Sequence, residues 1–495
     1  MAQPRIATAQ PAPATIESSA DVRSSRRPLA IFAAIFAAAA AIYSFQLGAD
    51  PLGASEAYSA WAAAKSVGAI VRTPVLHDPG KQVFYYLVLH FYARIFGLSE
   101  ISLRSLSVIF SLATLALVFA IGCEMFDDNT ALAAAAIWAF NPLAVAFAHT
   151  ARMYPMLIAV ALAYLLTLWR VRERPTLGRA ILCGVVGAAL LYTHLGGILF
   201  IGAGVAMLVR DYFRGQRQQN AMQWLSIAIT LALFVPYVPI ARAQSETLIA
   251  GHWLDWIGQG REYPLVFKIA FSVVAASIAL WFVFGTTGSH RNDQLPWLGA
   301  WTILPGLMLA AGSIAIRPMF NLRYVAPSTA TFTLLFAGVV AQASVKWRNL
   351  LAAGFPLACL IVLPFDRTKA QPWPEIAAQV ATSGASNPIF FESGFVAIDG
   401  APNVPNDGFP FGYYLIPFNY YFHGDNPRVA VPGYDPASAR ATIEKQVSAA
   451  GGGWLVSWKD RDAVSSELPD TSRFIVVEKL HGENLEFYRI APAAK

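Results

Sequence analysis

Long apolar runs separated by short polar stretches fill most of the first 365 residues, and the pattern changes abruptly after "LPF" at 363–365. A membrane-spanning helix needs about 20 apolar residues. Runs of that kind lie at 28–47, 104–123, 130–148, 153–169, 177–193, 195–209, 223–241, 265–285, 295–316, 323–342 and 348–365, which predicts about eleven spans. The apolar stretch from 177 to 209 would be about 50 Å long as a single helix, far beyond a hydrocarbon core of about 30 Å. The segment "YTHLGG" at 192–197 is therefore read as a break between two spans. Residues 82–97, "QVFYYLVLHFYARIFG", are short, aromatic and interrupted by His90 and Arg94. They predict a juxtamembrane helix.

Beyond residue 365 the periodicity becomes that of a soluble fold. "PEIAAQVATSG" (374–384) reads as a helix with Pro374 in its first turn and Gly384 as its stop. "PIFFES" reads as a strand, "PASARATIEKQVSAA" (436–450) as a helix, and "GWLVSW", "RFIVVEKL" and "LEFYRI" as strands. The predicted fold class is an α-helical polytopic membrane protein, with about eleven transmembrane helices plus juxtamembrane helices, followed by a small C-terminal α/β soluble domain. Its boundaries fall at 1–27, a disordered cytosolic tail, 28–365, the transmembrane domain, and 366–495, the extracytoplasmic α/β domain. The "GGG" at 451–453 follows a helix and precedes a strand, the reverse of the order that a phosphate-cradling loop needs, so it reads as a helix stop.

Composition agrees with the pattern: 56% of residues are hydrophobic and 13% charged, with a mean hydropathy of +0.48. The charge is unevenly spread. Residues 1–365 carry 25 Lys and Arg against 15 Asp and Glu, whereas 366–495 carry 11 against 15. An excess of cations on a membrane domain marks cytosolic loops and gives no reason to expect nucleic acid as a partner. With the amino terminus inside, "RVRERPTLGR" (170–179), "RDYFRGQR" (210–217), "SHR" (289–291) and "VKWR" (345–348) all fall on the cytosolic side. "RSSRR" ahead of the first run, itself long enough to span, favours a retained helix over a cleaved signal peptide. Cys123, Cys183 and Cys359 are far apart and in or beside apolar runs, as small buried hydrophobes are.

This topology gathers Glu56, Lys81, "HTARMYP" (149–155), His194, "HWLDW" (252–256) and "RPMFNLRY" (317–324) on the non-cytosolic face. Each has an ordinary explanation alone, as an interfacial charge or aromatic anchor. Cations at membrane depth on that face are costly unless something anionic answers them. A phosphate fits, since arginine forks match its oxygens and lysine adds a point charge. With a carboxylate nearby, the set predicts group transfer from a phosphate-bearing lipid: cations stabilise the departing phosphate and the carboxylate takes a proton from the acceptor. No His, Cys or Asp cluster has metal-ligand spacing, so the sequence names no cofactor and leaves a divalent metal open without supporting it, and no Ser/His/Asp set is recognisable.

The order of "SEAYSAW", "GKQVFYYLVLHFYARIFGLSEISLRSLSVIF" (80–110), "NPLAVAFAHTARMYPM" (141–156), "YTHLGG" and "RPMFNLRYVAP" (317–327) resembles the lipid-phosphate-sugar-dependent glycosyltransferases of the GT-C fold, the group of the dolichyl-phosphate-mannose protein mannosyltransferases, the aminoarabinose transferases and the rhizobial RgtA/B/C/D-like enzymes. The resemblance covers most of residues 28–345. It implies an inverting glycosyltransferase of the bacterial inner membrane, with a polyprenyl-phosphate-linked sugar as donor and a lipid, glycan or protein as acceptor on the periplasmic face. In such enzymes the first outer loop carries an Asp-Glu pair; here it reads Ser55-Glu56. The turn usually written "KPPLYY" is "KQVFYY", keeping Lys81, and "QEARMY" is "HTARMY", keeping Arg152 and Tyr154 with Thr150 in place of the acid. The expected site is Glu56 as general base with Asp78 as its alternative, and Lys81, His149, Arg152, Tyr154, His194, Arg317, Arg323 and Tyr324 on the donor. Two alternatives stay open: a catalytically degenerate relative that binds a lipid phosphate, and a transporter or flippase for lipid-linked sugars.

The topology is directly testable: a reporter active only in the periplasm should be active when fused after Lys495 and silent after Arg174. The reverse pattern would invert every loop and remove the site.

Overall fold

The computed structural model describes residues 19–72, 83–213, 221–242, 294–315, 321–343, 371–382, 387–393, 415–432, 436–457, 474–482 and 485–492, together with 354, 357 and 358. Among these, α1 (Ser19–Ser44), α2 (Ala54–Ala63), α3 (Val67–Arg72), α4 (Val83–Phe96), α5 (Glu100–Met125), α6 (Asp128–Ala139), α7 (Pro142–Ala148), α8 (Tyr154–Glu173), α9 (Leu177–Thr193), α10 (Gly197–Phe213), α11 (Ala221–Phe234), α12 (Gln294–Ala315) and α13 (Pro327–Ala341) build the apolar part. By length and composition, five helical stretches among the described residues can cross a membrane, 27–44, 100–125, 154–173, 221–242 and 294–312, or six if the bent pair 128–139 and 142–148 forms one span. The expected span at 265–285 lies outside the described residues, and the one at 348–365 lies largely outside them.

Local chemistry explains where the helices begin. Ser99, Asp127 and Thr176 accept from the backbone N–H three residues on and cap α5, α6 and α9. The break expected at "YTHLGG" is present: α9 ends at Thr193, His194 is extended at φ −161° and ψ 135°, and α10 starts at Gly197. The single span expected over 130–148 is instead two pieces, α6 and α7, bent by 59°. Asn141 is the reason: its side chain accepts from the Leu143 N–H at 2.9 Å, and Pro142 occupies the first helical position, so a new helix starts there. Helix α4 has 14 residues, or about 21 Å, too short to span, as its sequence suggests.

Helix α8 is the centre of the bundle, with apolar side chains buried on all sides from Tyr154 to Val171. Its neighbours close in through small residues and hydroxyls, the means available where lipid offers no hydrophobic drive between helices. A Cβ at Gly122 would lie 2.7 Å from the Cα of Ala131, so α5 and α6 touch backbone to backbone. Thr230 donates to the Gly184 carbonyl at 3.1 Å, and the Thr302 and Thr331 hydroxyls share a hydrogen bond of 3.1 Å.

The C-terminal part contains α14 (Trp373–Thr382), β1 (Ile389–Ser393), α15 (Leu415–Tyr421), β2 (Arg428–Pro432), α16 (Pro436–Ala450), β3 (Gly453–Ser457), β4 (Phe474–Gly482) and β5 (Leu485–Pro492). The sheet order is β2-β1-β3-β5-β4, with β1 parallel to β2 and β3, and β5 antiparallel to β3 and β4. Ile389 and Phe391 pack with α14 and α15 on one face, while Phe390 packs with α16 on the other. Strands covered on both faces read as continuous apolar runs, and "IFF" and "WLV" do. Strand β2 and helix α15 carry weaker patterns and were not anticipated.

Replacing Gly122 by valine should lower the melting temperature in detergent by several degrees, because backbone cannot yield to the added atoms. Gly178→Ala, where a Cβ meets nothing within 4 Å, should be neutral or stabilising by about 0.5–1 kcal/mol.

Candidate active site

The turn between α1 and α2 and the first residues of α2 form a fully bonded knot. Glu56 is the third residue of α2 and is buried. Its Oε1 accepts from the Arg104 Nε at 2.9 Å and the Ala151 N–H at 2.8 Å; its Oε2 accepts from the Arg104 Nη2 at 2.8 Å and the Gly53 N–H at 3.1 Å. Arg104 completes its set on the carbonyls of Leu47 (3.0 Å) and Asp50 (2.7 Å) through Nη1 and of Pro51 (3.1 Å) through Nη2. A carboxylate offers about four acceptor sites and a guanidinium five N–H donors. Every one is used.

That saturation bears directly on the expectation of Glu56 as general base and favours an anchoring role. A general base needs an accessible lone pair within hydrogen-bond reach of the acceptor proton, and all four sites of this carboxylate face protein donors. Arg104, read from sequence only as the start of a span, is the partner that was missed. The available signal was an arginine at the head of an otherwise apolar helix, which calls for a buried partner.

Arg152 sits next to this knot. It is 4% exposed, and its Nη1 donates to the Ser55 carbonyl at 2.7 Å and to Ser59 Oγ at 3.3 Å. Ser107 holds the same loop by donating to the Thr150 carbonyl at 2.8 Å. The buried phenol of Tyr85, from the "KQVFYY" segment, lies beside Ser59 and Arg152. Ser59 and Tyr85 were not singled out in sequence, since neither residue type is unusual in a membrane helix.

A second group adjoins it. The Tyr154 ring lies 6.4 Å from His194, which lies 4.9 Å from Tyr324, and the exposed Arg323 guanidinium stands 6.0 Å from the Tyr154 ring centre. Gly196 donates its N–H to His194 Nδ1 at 2.8 Å, so a neutral ring carries its proton on Nε2. Only glycine fits there: a Cβ would lie 2.9 Å from that Nδ1 and 3.1 Å from the Tyr324 carbonyl. Asn321 caps the short turn that presents Arg323, accepting from its N–H at 3.0 Å.

His149 is placed differently from the expectation. It packs against the carbonyls of Ile42 and Tyr43, with Arg104 and Asp50 nearby, and burial pushes its imidazole below the usual range, with Arg104 adding to the effect. Asp78, Lys81, Arg317 and "HWLDW" lie outside the described residues. Among the described residues, no three His, Cys, Asp or Glu side chains gather as metal ligands would. A groove of about 610 Å³ lies in the C-terminal part, lined by Pro374, Ala377, Tyr421, His423 and Asp425 among others, but it includes none of Glu56, Arg152, His194 or Arg323.

Residues 78–240, about a third of the chain, match the family model described as dolichyl-phosphate-mannose-protein mannosyltransferase. No curated protein matches the chain. The fold is similar to that of ArnT from Cupriavidus metallidurans in the apo state, at 15% identity, covering 95% of this chain and 98% of that one with a TM-score of 0.57. It is also similar to ArnT bound to undecaprenyl phosphate, at 14% identity, 93% and 97% coverage and a TM-score of 0.55. The apo oligosaccharyltransferase of Archaeoglobus fulgidus aligns at 11% identity, over 90% of this chain and 72% of that one, with a TM-score of 0.59. The chain is thus an α-helical polytopic membrane protein that shares the GT-C fold of these structures and carries a small C-terminal sheet.

Arg104→Met strands the Glu56 carboxylate in a buried site, which should cost about 3–5 kcal/mol and greatly reduce the yield of folded protein in detergent. The double variant Glu56→Met with Arg104→Met should recover part of the loss. An Arg104→Met protein that melts with the wild type would refute the anchoring role.

Proposed function

We propose that this protein is an inverting glycosyltransferase that moves a sugar from a polyprenyl-phosphate-linked donor to an acceptor on the extracytoplasmic face of the bacterial inner membrane. The observation that carries the reading is the grouping of Arg323, Tyr154, His194 and Tyr324 at the end of the bundle where Arg152, two residues before Tyr154, is held on Ser55 and Ser59. Helix α8 starts in this group and ends 20 residues later beside Arg170, Arg172 and Arg174, about 30 Å away. A basic end of that kind belongs in the cytosol, which leaves the site and the C-terminal part outside. The fold shared with an ArnT bound to undecaprenyl phosphate and the partial match to a mannosyltransferase family model support the same class.

In this mechanism the acceptor hydroxyl attacks the anomeric carbon from the face opposite the phosphate. The carbon–oxygen bond to phosphate breaks, and the polyprenyl phosphate leaves with the electron pair. Arg152, Arg323, Lys81 and Arg317 meet the charge that grows on the phosphate oxygens, while Tyr154, His194 and Tyr324 line the sugar. Glu56 anchors the loop. The acceptor proton goes to Asp78 in "HDPGK", three residues before Lys81.

A second reading rests on Ser55 and Thr150, which stand where relatives of this kind carry acids: a protein that binds a lipid phosphate without transferring sugar. The two readings separate in a reconstituted assay with polyprenyl-phosphate sugars. Arg323→Ala and Lys81→Ala should weaken donor use by about one to two orders of magnitude, as charge-assisted hydrogen bonds imply. Asp78→Asn should abolish turnover and leave donor binding intact. Full activity in Arg323→Ala would end the phosphate assignment, and full activity in Asp78→Asn would end the assignment of the base.

A further inference from the structure

Three consecutive backbone N–H groups, of Leu52, Gly53 and Ala54, lead into the first turn of α2, and each is taken by a side chain. Gly53 donates to Glu56 itself, at 3.1 Å. The other two partners come from the C-terminal part: Leu52 donates to Tyr421 Oη at 2.7 Å, and Ala54 donates to Gln371 Oε1 at 3.2 Å. Tyr421 in turn donates to Glu100 Oε1 at 2.9 Å, at the start of α5, and Tyr420 donates to the Leu98 carbonyl at 2.6 Å. Gln371 is held by Trp373 Nε1, which donates to the same Oε1 at 2.9 Å.

The helix that carries these tyrosines belongs to two cores. On one side of α15, Ile416 is part of the membrane bundle's core, with Tyr420 packed against it. On the other, Phe418 and the following Phe422 are part of the core formed with β1, β3 and α14. Residues four apart share a helix face, so α15 is seated in both bodies at once.

We propose that Tyr421 and Gln371 are positioning residues for the donor site: the C-terminal part closes the amino end of α2, and through it fixes the Ser55 carbonyl and Ser59 hydroxyl that hold Arg152. An unbonded N–H at the head of a helix is otherwise left to water, and the turn would be free to loosen. The consequence for ligand rests on the phosphate reading of Arg152 given above. It makes the C-terminal part a component of the donor site, distinct from any role in holding an acceptor.

The test uses full-length protein in lipid nanodiscs, with undecaprenyl phosphate as probe. Hydrogen exchange of a peptide spanning 50–58 reports on the turn, and the apparent Kd for undecaprenyl phosphate reports on the site. Tyr421→Phe and Gln371→Leu should each speed exchange and weaken binding by roughly three- to tenfold, the range for one such hydrogen bond. Gln371→Glu, which keeps an acceptor for both Ala54 and Trp373, should restore both readings. Unchanged exchange in Tyr421→Phe and Gln371→Leu overturns the clamp, and faster exchange with unchanged affinity overturns its link to the donor. Wild-type protein that binds no undecaprenyl phosphate would refute the phosphate reading instead, leaving the exchange result to decide whether the clamp exists.

Discussion

The ion pair between Glu56 and Arg104 is the contact on which the site end of the molecule depends. Its members come from α2 and α5, and their remaining bonds reach the α1–α2 turn and the loop before α8. Burying two charges is expensive, and the pair is tolerable only because each donor and acceptor is matched. The same completeness makes it an anchor: neither side chain can move without breaking a bond that defines the loop.

The fold was legible to the extent that it is written in hydropathy. The bounds of α9 and the break at "YTHLGG" follow from length against bilayer thickness, and α16 was read to the residue. The strands β1 and β3 announce themselves by continuous apolar runs, and β4 and β5 by β-branched and aromatic residues broken by single charges. The bend at Asn141 was missed because a window that averages hydropathy passes over "NP", although the capping chemistry of that pair is local and could have been applied.

The site was legible in its residues and less so in their roles. Of the residues read as a polar set at span ends, the structure brings Tyr154, His194, Arg323 and Tyr324 together, and it holds Arg152 on Ser55 and Ser59 beside them. Glu56 was recognised as the unusual carboxylate, but which of its lone pairs are occupied depends on partners 48 and 95 residues away. Sequence spacing carries no information about such contacts. Tyr421 is further still, in a short helix whose amphipathic pattern serves two cores and so reads as neither.

The bond from Leu52 to Tyr421 joins positions 369 residues apart, and this has a consequence for biogenesis. At about 5–20 residues per second of synthesis, the α1–α2 turn is made many seconds before the helix that completes it. During that interval the Leu52 N–H has not yet met the Tyr421 hydroxyl, so a turn near the start of the chain is completed only once the helix that carries Tyr421, 369 residues further on, has been made and packed.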